Sequence, residues 1–369
     1  MKLNVLQLLP ALEVGGVERG TLEIAQALIQ KGYGSHVISA GGRMVEQLKQ
    51  EGSEHLSLKI GKKSPLTFLY YRKIKKYILD NNINVVHVRS RMPAWVTYLA
   101  LLAIPKQKRP LLVSTIHGPY SVNFYSKIMM RSDCLIAISE YIMNYILTNY
   151  PDTDKNKITL IHRGVNNQIY NCHYNINNAW SEPWADIIST DTKVITLPGR
   201  ITRWKGQADF IDIIDQLLRS GMNIHGVIAG GAEPRRQAFL DELNERVKIL
   251  NLDEHISFIG QRSDMKEIMK ASDLVVSLAK IPEAFGRTAL EALALGTPVV
   301  AYDHGGAHEV LKELFPNGLC KANDLEDAGN KISYILQNNF AIKHNELFTL
   351  HNMIEQTIHV YENAILNNK

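Results

Sequence analysis

Two acidic residues, Glu283 and Glu291, are placed where they could bind a ligand. They lie eight positions apart in E-A-F-G-R-T-A-L-E-A-L-A-L-G-T-P, which predicts a loop followed by a helix from Thr288 to Gly296. The start of a helix presents free N–H groups that attract anions. Acids beside such groups favour a ligand with phosphates and several hydroxyls, as in a sugar nucleotide. An amphipathic helix with an acidic first turn is the alternative that this segment alone leaves open.

A second candidate group is basic and lies in V-I-T-L-P-G-R-I-T-R-W-K-G. Arg200 directly follows a predicted strand, and Lys205 stands five positions later, near the start of the next helix. A forked guanidinium and a flexible ammonium suit a diphosphate, which offers oxygens in two directions. A solvated basic turn is the alternative, but the position after a buried strand and beside a glycine favours a functional pair.

Other candidates also follow predicted strands. The glycines Gly15 and Gly16 precede a helix and would let backbone N–H groups approach an anion, although an ordinary turn explains them equally well. His117 follows L-L-V-S-T-I and could bond a sugar hydroxyl or a developing charge. Three basic residues at the end of N-V-V-H-V-R-S-R could contact an anionic acceptor: His87, Arg89 and Arg91.

The sequence predicts no metal site. Asp152-Thr153-Asp154 matches a D-x-D metal-binding pattern, but it falls in a polar turn after a helix and is interpreted as solvated. The three cysteines are too few and too scattered for a zinc site or a disulfide framework. This cysteine usage indicates a reducing cytoplasm.

Length and hydrophobic patterning predict two α/β domains. A chain of 369 residues is longer than a single hydrophobic core usually supports. Its net charge is only +4, and no segment approaches the roughly 20 consecutive apolar residues needed to span a bilayer. Continuous apolar runs alternate with helical patterns, which is typical of parallel sheets covered on both faces. The predicted strands are Asn4–Leu9, His36–Ala40, Val85–Val88, Leu111–Ile116, Cys134–Ile138, Ile158–Ile161, Val194–Leu197, Ile224–Ala229, Ile256–Ile259, Leu274–Ser277 and Pro298–Ala301.

An Asn-rich stretch from Gly164 to Asp191 interrupts the alternation and is interpreted as a connector. We therefore expect two doubly wound domains in series, with ligands beyond the carboxyl ends of the strands. The tail from about Ala341 to Asn368 has a helical pattern.

Taken together, these motifs resemble the retaining family 4 glycosyltransferases, the group 1 enzymes of lipopolysaccharide and capsule synthesis. The resemblance covers nearly the whole chain and includes the glycine pair, G-R-x-x-x-x-K, the E-x7-E pair and G-G-x-x-E at Gly305, Gly306 and Glu309. It implies a GT-B fold, in which two Rossmann-like domains flank a deep cleft. Residues 1–165, with a crossing helix at about 350–369, would bind the acceptor, and residues 166–349 would bind the donor.

The resemblance also implies roles for individual residues. Arg200 and Lys205 would hold the donor diphosphate and stabilise the leaving group, and Glu291 would bind the ribose. Glu283 would contact the donor sugar, with His117 lying over it. The remaining implied donor-binding residues are Gly15, Gly16, Ala284, Phe285, Gly286, Arg287, Thr288 and Arg262.

The implied activity is retaining, metal-independent transfer of a hexose-like unit from a nucleotide sugar, with UDP the expected nucleotide and no cofactor. The acceptor would be a cell-surface glycan or a lipid-linked saccharide, and nucleic acid is not an expected partner. The alternatives are a nucleotide-sugar epimerase or phosphorylase on the same fold, and a membrane-associated scaffold with a degenerate site.

One segment predicts either a membrane-binding surface or an ordinary packed helix. Pro65–Leu79 carries apolar residues at helical spacing, and no acid occurs between Lys59 and Lys76. Such a helix suits the anionic inner face of the plasma membrane, but a stripe packed on the sheet with a basic solvent face fits equally well. The basic residues concerned are Lys62, Lys63, Arg72, Lys73, Lys75 and Lys76.

Overall fold

The computed structural model describes residues 2–13, 15–177, 180 and 191–367. The chain divides into two compact units, one formed by Met1–His162 with His351–Lys369 and the other by Arg163–Leu350. Both units are α/β, as the alternating sequence pattern predicts. The part of the predicted connector at 178–179 and 181–190 lies outside the described residues.

The first unit is built on a parallel sheet, which has seven strands within the described residues, in the order β3-β2-β1-β4-β5-β6-β7. The central strands β1, β4 and β5 are almost wholly buried, which explains their continuous apolar sequences. The strands are β1 Asn4–Leu8, β2 Gly34–Ser39, β3 Glu54–Ser57, β4 Val85–Val88, β5 Leu111–Ile116, β6 Cys134–Ala137 and β7 Ile158–Leu160.

Helices connect these strands in the βαβ manner. They are α1 Gly16–Gln30, α2 Val45–Gln50, α3 Tyr71–Asp80, α4 Arg91–Leu102, α5 Phe124–Lys127 and α6 Glu140–Asn149. The predicted helix at Pro65–Leu79 is in fact a 3-10 segment, Pro65–Tyr70, followed by α3.

The second unit repeats the plan with a parallel sheet that shows six strands among the described residues, in the order β10-β9-β8-β11-β12-β13. The strands are β8 Lys193–Pro198, β9 Ile224–Ala229, β10 Ile256–Gly260, β11 Leu274–Ser277, β12 Val299–Tyr302 and β13 Leu319–Cys320. The helices are α7 Gln207–Arg219, α8 Gln237–Ile249, α9 Met265–Ala271, α10 Arg287–Ala294, α11 Gly305–Leu314 and α12 Leu325–Gln337.

The last helix, α13, spans Leu350–Asn367, and from His351 onward it belongs to the first unit. Its Tyr361 hydroxyl lies 2.7 Å from Nδ1 of His87 in β4, and both side chains are fully buried. The predicted helical tail from Ala341 was too long, because residues 341–349 form a loop in which Asn345 makes two hydrogen bonds with the backbone of Phe348.

Candidate active site

Two loops of the second unit approach each other backbone to backbone. Gly199 follows β8 and Gly230 follows β9. A Cβ atom on Gly230 would lie only 1.9 Å from the carbonyl oxygen of Gly199, so this position excludes a larger residue. The contact fixes the loop that carries Arg200, whose position after a strand the sequence predicts.

Arg200 faces an acid from the second of these loops. Its Nη1 lies 3.3 Å from Oε1 of Glu233, and the side chain is largely exposed. Glu233 also accepts a 2.8 Å hydrogen bond from Nε of Arg235, and Nε of Arg236 lies 4.0 Å from it. These guanidinium groups, Arg235 first, lower the pKa of Glu233. One carboxylate is thus shared by three arginines.

Lys205 is paired with Glu283, the acidic residue that is expected to contact the donor sugar. Its ammonium donates a hydrogen bond to Oε1 of Glu283, while Oε2 of Glu283 lies 3.3 Å from the hydroxyl of Ser277 at the end of β11. The side chains of Lys205 and Glu283 are each less than one-fifth exposed. The Lys205 side chain would lie 3.5 Å from a Cβ atom on Gly199, and its ammonium is 4.8 Å from the ring centre of Trp204.

Three glycines shape the loop that holds Glu283. Gly286 and Gly305 adopt left-handed backbone conformations at φ 78° and 61°. A Cβ atom on Gly306 would lie 2.2 Å from Cα of Phe285, and one on Gly305 would lie 2.6 Å from the carbonyl oxygen of Glu283. The Gly306 N–H donates a 2.8 Å hydrogen bond to that same carbonyl. The N-terminus of α11 therefore sets the position of the Glu283 loop.

The carboxyl ends of β8, β9 and β10 and the helices α9 and α10 enclose a cavity of about 530 Å³. Among the predicted site residues, Arg200, Arg262, Thr288 and Glu291 line it. Glu291 accepts a 2.9 Å hydrogen bond from Nε of Arg287, one turn earlier in α10. Ala284 and Phe285 lie in the loop just before α10, and Phe285 is buried.

Arg262 is held in the cavity wall by a two-point contact. Its Nε and Nη2 donate to the carboxylate of Asp264 at 2.9 Å and 2.6 Å, and Nε1 of Trp180 donates to the same group at 2.7 Å. The Arg262 contact lowers the pKa of Asp264 to about 2. Asp264 thus stays ionised and keeps the guanidinium oriented.

The structure places His87 and Arg89 inside the first unit. His87 is fully buried, and its Nε2 lies 2.7 Å from the hydroxyl of Thr115. Arg89 is only 3% exposed and donates through Nε and Nη2 to Oε1 of Gln7, at 3.0 Å and 2.6 Å. Because both side chains are buried and bond within the core, they do not present a surface to an acceptor, and the structure contradicts the expected acceptor contact of these two residues.

The other candidates of the first unit are more accessible. Arg91 is half-buried, donates a 3.1 Å hydrogen bond to Ser126, and its guanidinium lies 4.8 Å from the ring centre of Tyr120. His117 directly follows β5 and is half-buried. Gly15 caps α1 with an extended backbone at φ 174°, and Gly16 is its first residue.

The basic segment, residues 59–79, has one face toward the core and one toward solvent. Ile74 and Ile78 of α3 are buried, as the packed-helix alternative predicts. In contrast, Leu66 and Leu69 of the 3-10 segment are 73% and 59% exposed. The basic side chains at 62, 63, 72, 73 and 76 are exposed, and Lys75 is half-buried.

Within the described ranges, no cluster of three or more His, Cys, Asp or Glu residues could hold a metal ion. Asp152 pairs with Lys127 at 3.0 Å, and Asp154 accepts a bond from the N–H of Asn156. Among the same residues, no helix has both the length and the apolar character needed to cross a bilayer.

The sequence reasoning missed several residues of this site. Glu233, Gly230 and Gly231 line the cavity, and Asp264 and Ser277 each bond a predicted site residue. The sequence carries a signal for the first three, because the glycine pair and the acid of G-G-A-E-P directly follow the strand β9. The other two partners become visible only when the loops have folded.

Two family models match the chain. The model of group 1 glycosyl transferases matches residues 179–357, and the model of glycosyltransferase family 4 matches residues 14–168. A curated relative, the lipopolysaccharide core biosynthesis mannosyltransferase LpsB of Rhizobium meliloti (strain 1021), is 37% identical over 113 residues, which cover 31% of this chain and 32% of LpsB.

Solved structures match the whole chain. The glycosyltransferase from Rickettsia africae ESF-5 is 30% identical with a TM-score of 0.87, covering 99% of both chains. HepE from Anabaena, solved in complex with UDP and glucose, is 20% identical with a TM-score of 0.77, covering 98% of this chain and 99% of HepE. Together with the two family models, the Rickettsia match shows that this chain belongs to the family 4, group 1 glycosyltransferases and has the GT-B fold.

Proposed function

We propose that the chain is a retaining, metal-independent hexosyltransferase that uses a nucleoside diphosphate sugar, with UDP as the nucleotide. The acceptor that we propose is a cell-surface glycan or a lipid-linked saccharide. The second unit would bind the donor and the first unit the acceptor.

The observation that carries this proposal is the arrangement of charge around the 530 Å³ cavity. Arg200 and Gly199 line the cavity, whereas Lys205 and Glu283 are not among its lining residues. The Lys205 side chain lies beside the cavity, 3.5 Å from where a Cβ atom on Gly199 would stand. A diphosphate between these cations would replace Glu233 and Glu283 as their partner. Glu291 lines the same cavity and can accept hydrogen bonds from ribose hydroxyls.

The charges suit the departure of a nucleoside diphosphate. Negative charge develops on the leaving phosphate while the sugar gains oxocarbenium character. Arg200 and Lys205 would stabilise the phosphate, and Glu283 would orient the sugar through its hydroxyls. We therefore propose retention in which the acceptor hydroxyl oxygen bonds to the anomeric carbon on the face from which the phosphate leaves. The bond from that carbon to the phosphate oxygen breaks, and the departing phosphate accepts the proton of the hydroxyl.

The comparisons support the choice of substrates. HepE was solved with UDP and glucose, and LpsB is named as a lipopolysaccharide core mannosyltransferase. We infer from these names that UDP is the nucleotide and that the acceptor belongs to surface-glycan assembly.

The test is sugar transfer by the purified chain, after a thermal-shift screen of UDP-, GDP-, ADP- and TDP-sugars. Lys205→Ala should reduce turnover by roughly 10²–10³-fold, the usual effect of losing a group that stabilises transition-state charge. The matched control is Lys193→Ala, an exposed lysine at the start of β8. NMR of the product should show the donor's anomeric configuration.

Full turnover by a folded Lys205→Ala variant would contradict the proposal. An isomerised sugar nucleotide formed from donor alone would indicate an epimerase, and a requirement for free phosphate would indicate a phosphorylase. A fully folded wild-type chain that binds no sugar nucleotide would favour the scaffold alternative.

Metal independence has its own test. Two side-chain cations beside the cavity can take the charge-neutralising role that a divalent ion has in D-x-D enzymes. We expect EDTA to leave turnover unchanged. A loss of turnover that Mg²⁺ or Mn²⁺ restores would contradict this part of the proposal.

We further propose that this chain is cytoplasmic and docks peripherally on the inner face of the plasma membrane. The exposed Leu66 and Leu69 lie in the same segment as exposed basic residues, and each basic residue near an anionic surface contributes about 1 kcal/mol. Flotation with anionic vesicles should decrease with salt and when Lys73, Lys75 and Lys76 are changed to Glu. Flotation that responds to neither change would remove the proposal.

Predictions remain for the other candidates of the first unit. Gly15 and Gly16 would offer backbone N–H groups to a phosphate, His117 would contact the donor sugar, and Arg91 would contact the acceptor. His117→Ala should lower turnover with little effect on the affinity for UDP alone.

A further inference from the structure

A second cavity of about 540 Å³ lies beside the loops that carry Lys205 and Glu283. It shares no lining residue with the cavity that we assign to the donor nucleotide. Its wall comes from the loop before α7, the start of α8 and the loop before Glu283. The side chains used below are Arg203, Trp204, Arg235, Arg236, Phe239 and Lys280.

The lining combines rings with cations. Trp204 and Phe239 contribute the aromatic surface, and the guanidinium of Arg203 lies 4.6 Å from the ring centre of Phe239. The exposed Ile281 continues the apolar surface. A sugar ring packs its C–H face on such aromatic groups, while its hydroxyls and charges reach the surrounding polar groups.

The charge of this surface is positive after its ion pairs are counted. Arg203 pairs with Glu242 at 2.6 Å, and Lys280 pairs with Asp209 at 2.7 Å. Arg235 and Arg236 share Glu233. The lining of this cavity thus has four cations paired with three acids, and Arg200, which lines the other cavity, also contacts Glu233. One positive charge of the lining therefore has no acid of its own among the described residues, so the cavity suits an anion.

One donor at this surface is unsatisfied. Nε of Arg236 is buried and has no hydrogen-bond partner among the residues that the structure describes, since its contact with Glu233 is 4.0 Å long. A buried N–H without an acceptor costs free energy, and the Arg236 side chain as a whole is 30% exposed. A carboxylate or phosphate that draws this guanidinium toward the cavity would therefore gain by giving Nε an acceptor.

We propose that this cavity is a subsite for an acidic saccharide, meaning a sugar that carries a carboxylate or a phosphate. The inference rests on the proposed glycosyl transfer and narrows its acceptor to an anionic glycan. It assigns part of acceptor binding to the second unit, in addition to the acceptor-binding role that we propose for the first unit. Trp204 directly precedes Lys205, and Ile281 lies two residues before Glu283, so the loops that line this cavity also carry two residues that we assign to the donor. The aromatic lining favours a saccharide over a simple anion.

The test uses the full chain and three saccharide probes measured by isothermal titration calorimetry. They are a glucuronate-containing tetrasaccharide, glucose 1-phosphate and the neutral maltotetraose. We expect at least one acidic probe to bind at least tenfold more tightly than maltotetraose. The carboxylate and phosphate probes distinguish the two sources of charge.

Three variants locate the binding. Arg235→Gln and Arg236→Gln should each weaken the acidic probe about fivefold or more, and Phe239→Ala should weaken it similarly by removing the ring. Arg235 is 75% exposed, so its substitution leaves the fold intact. The matched control is Arg219→Gln, an exposed arginine of α7 paired with Asp215, which should have no effect.

Equal binding of acidic and neutral probes, no binding of any probe, or unchanged affinity in all three variants would overturn the subsite. UDP affinity is measured in parallel. A wild-type chain that fails to bind UDP would contradict the proposed function, whereas normal UDP binding with any of the three results above would contradict only this inference.

Discussion

The Glu233 carboxylate pairs with the Arg200 guanidinium, and this contact leads to a quantitative prediction. Changing Glu233 to Gln removes one negative charge and keeps the side-chain size. Because the carboxylate beside Arg200 would repel the charge of a donor diphosphate, we expect Glu233→Gln to bind UDP more tightly than the wild type. Most substitutions in a binding cavity weaken binding, so the direction of the effect is informative.

The size of the effect follows from the contact distances. The Glu233 carboxylate lies 3.3 Å from the Arg200 guanidinium. A phosphate oxygen bound on the opposite side of that guanidinium would lie about 3 Å from it, so the two anions would be roughly 6 Å apart. At that distance in water, one unit charge changes a binding constant about threefold for each unit charge on the ligand. The high dielectric is appropriate because the Arg200 side chain is 72% exposed.

Salt should reduce this effect. The Debye length is about 30 Å at 0.01 M ionic strength and about 8 Å at 0.15 M. For a ligand with two phosphate charges, the UDP binding constant of Glu233→Gln should therefore rise roughly sevenfold at the lower ionic strength and about threefold at the higher one. The assay is UDP titration by calorimetry at both ionic strengths. Glu242→Gln is the matched control, because Glu242 pairs with Arg203 and does not line the donor cavity.

Unchanged or weaker UDP binding by Glu233→Gln at low salt would refute this reasoning. It would mean that the carboxylate orients Arg200 for the ligand and does not repel that ligand. An equal gain in the Glu242→Gln control would show a general charge effect with no role for the specific contact.

Three further predictions concern stability and the shape of the cavity. Tyr361→Phe removes the buried bond to His87 and should lower the free energy of unfolding by about 2 kcal/mol, with a fall of roughly 4–8 °C in the melting temperature by calorimetry. Gly230→Ala should weaken UDP binding at least tenfold, because the new methyl group would displace the Gly199 carbonyl; wild-type affinity would contradict the geometry. Burial lowers the pKa of His225. The unfolded chain therefore takes up this proton first, so stability should fall as pH drops below about 6.5, and His225→Asn should show a smaller fall in urea titrations.

The strands that the sequence predicted best are the buried ones. Val85–Val88, Leu111–Ile116, Ile224–Ala229 and Leu274–Ser277 have the predicted bounds, because continuous apolar sequence marks a strand covered on both faces. The strand Glu54–Ser57 was missed, because it lies at a sheet edge, where half-exposed polar residues interrupt the apolar pattern.

The same contrast applies to the site. Arg200 could be identified because it follows a strand, and Glu291 because it lies one turn into a helix. Both positions are encoded locally. The burial of His87 could not be predicted from the sequence, because its partner Tyr361 is 274 residues away along the chain. Nor could the sequence indicate that Glu233 binds Arg200, because that contact depends on how two loops pack.

The central claim is that the second unit holds a nucleoside diphosphate between Arg200, Lys205 and Glu291. Calorimetric titration of UDP into the wild-type chain and into Glu291→Ala tests it most directly. The account predicts saturable 1:1 binding by the wild type and at least a tenfold loss in the variant, with both proteins equally folded by circular dichroism. Absence of binding to the wild type, or equal affinity in the variant, would contradict it.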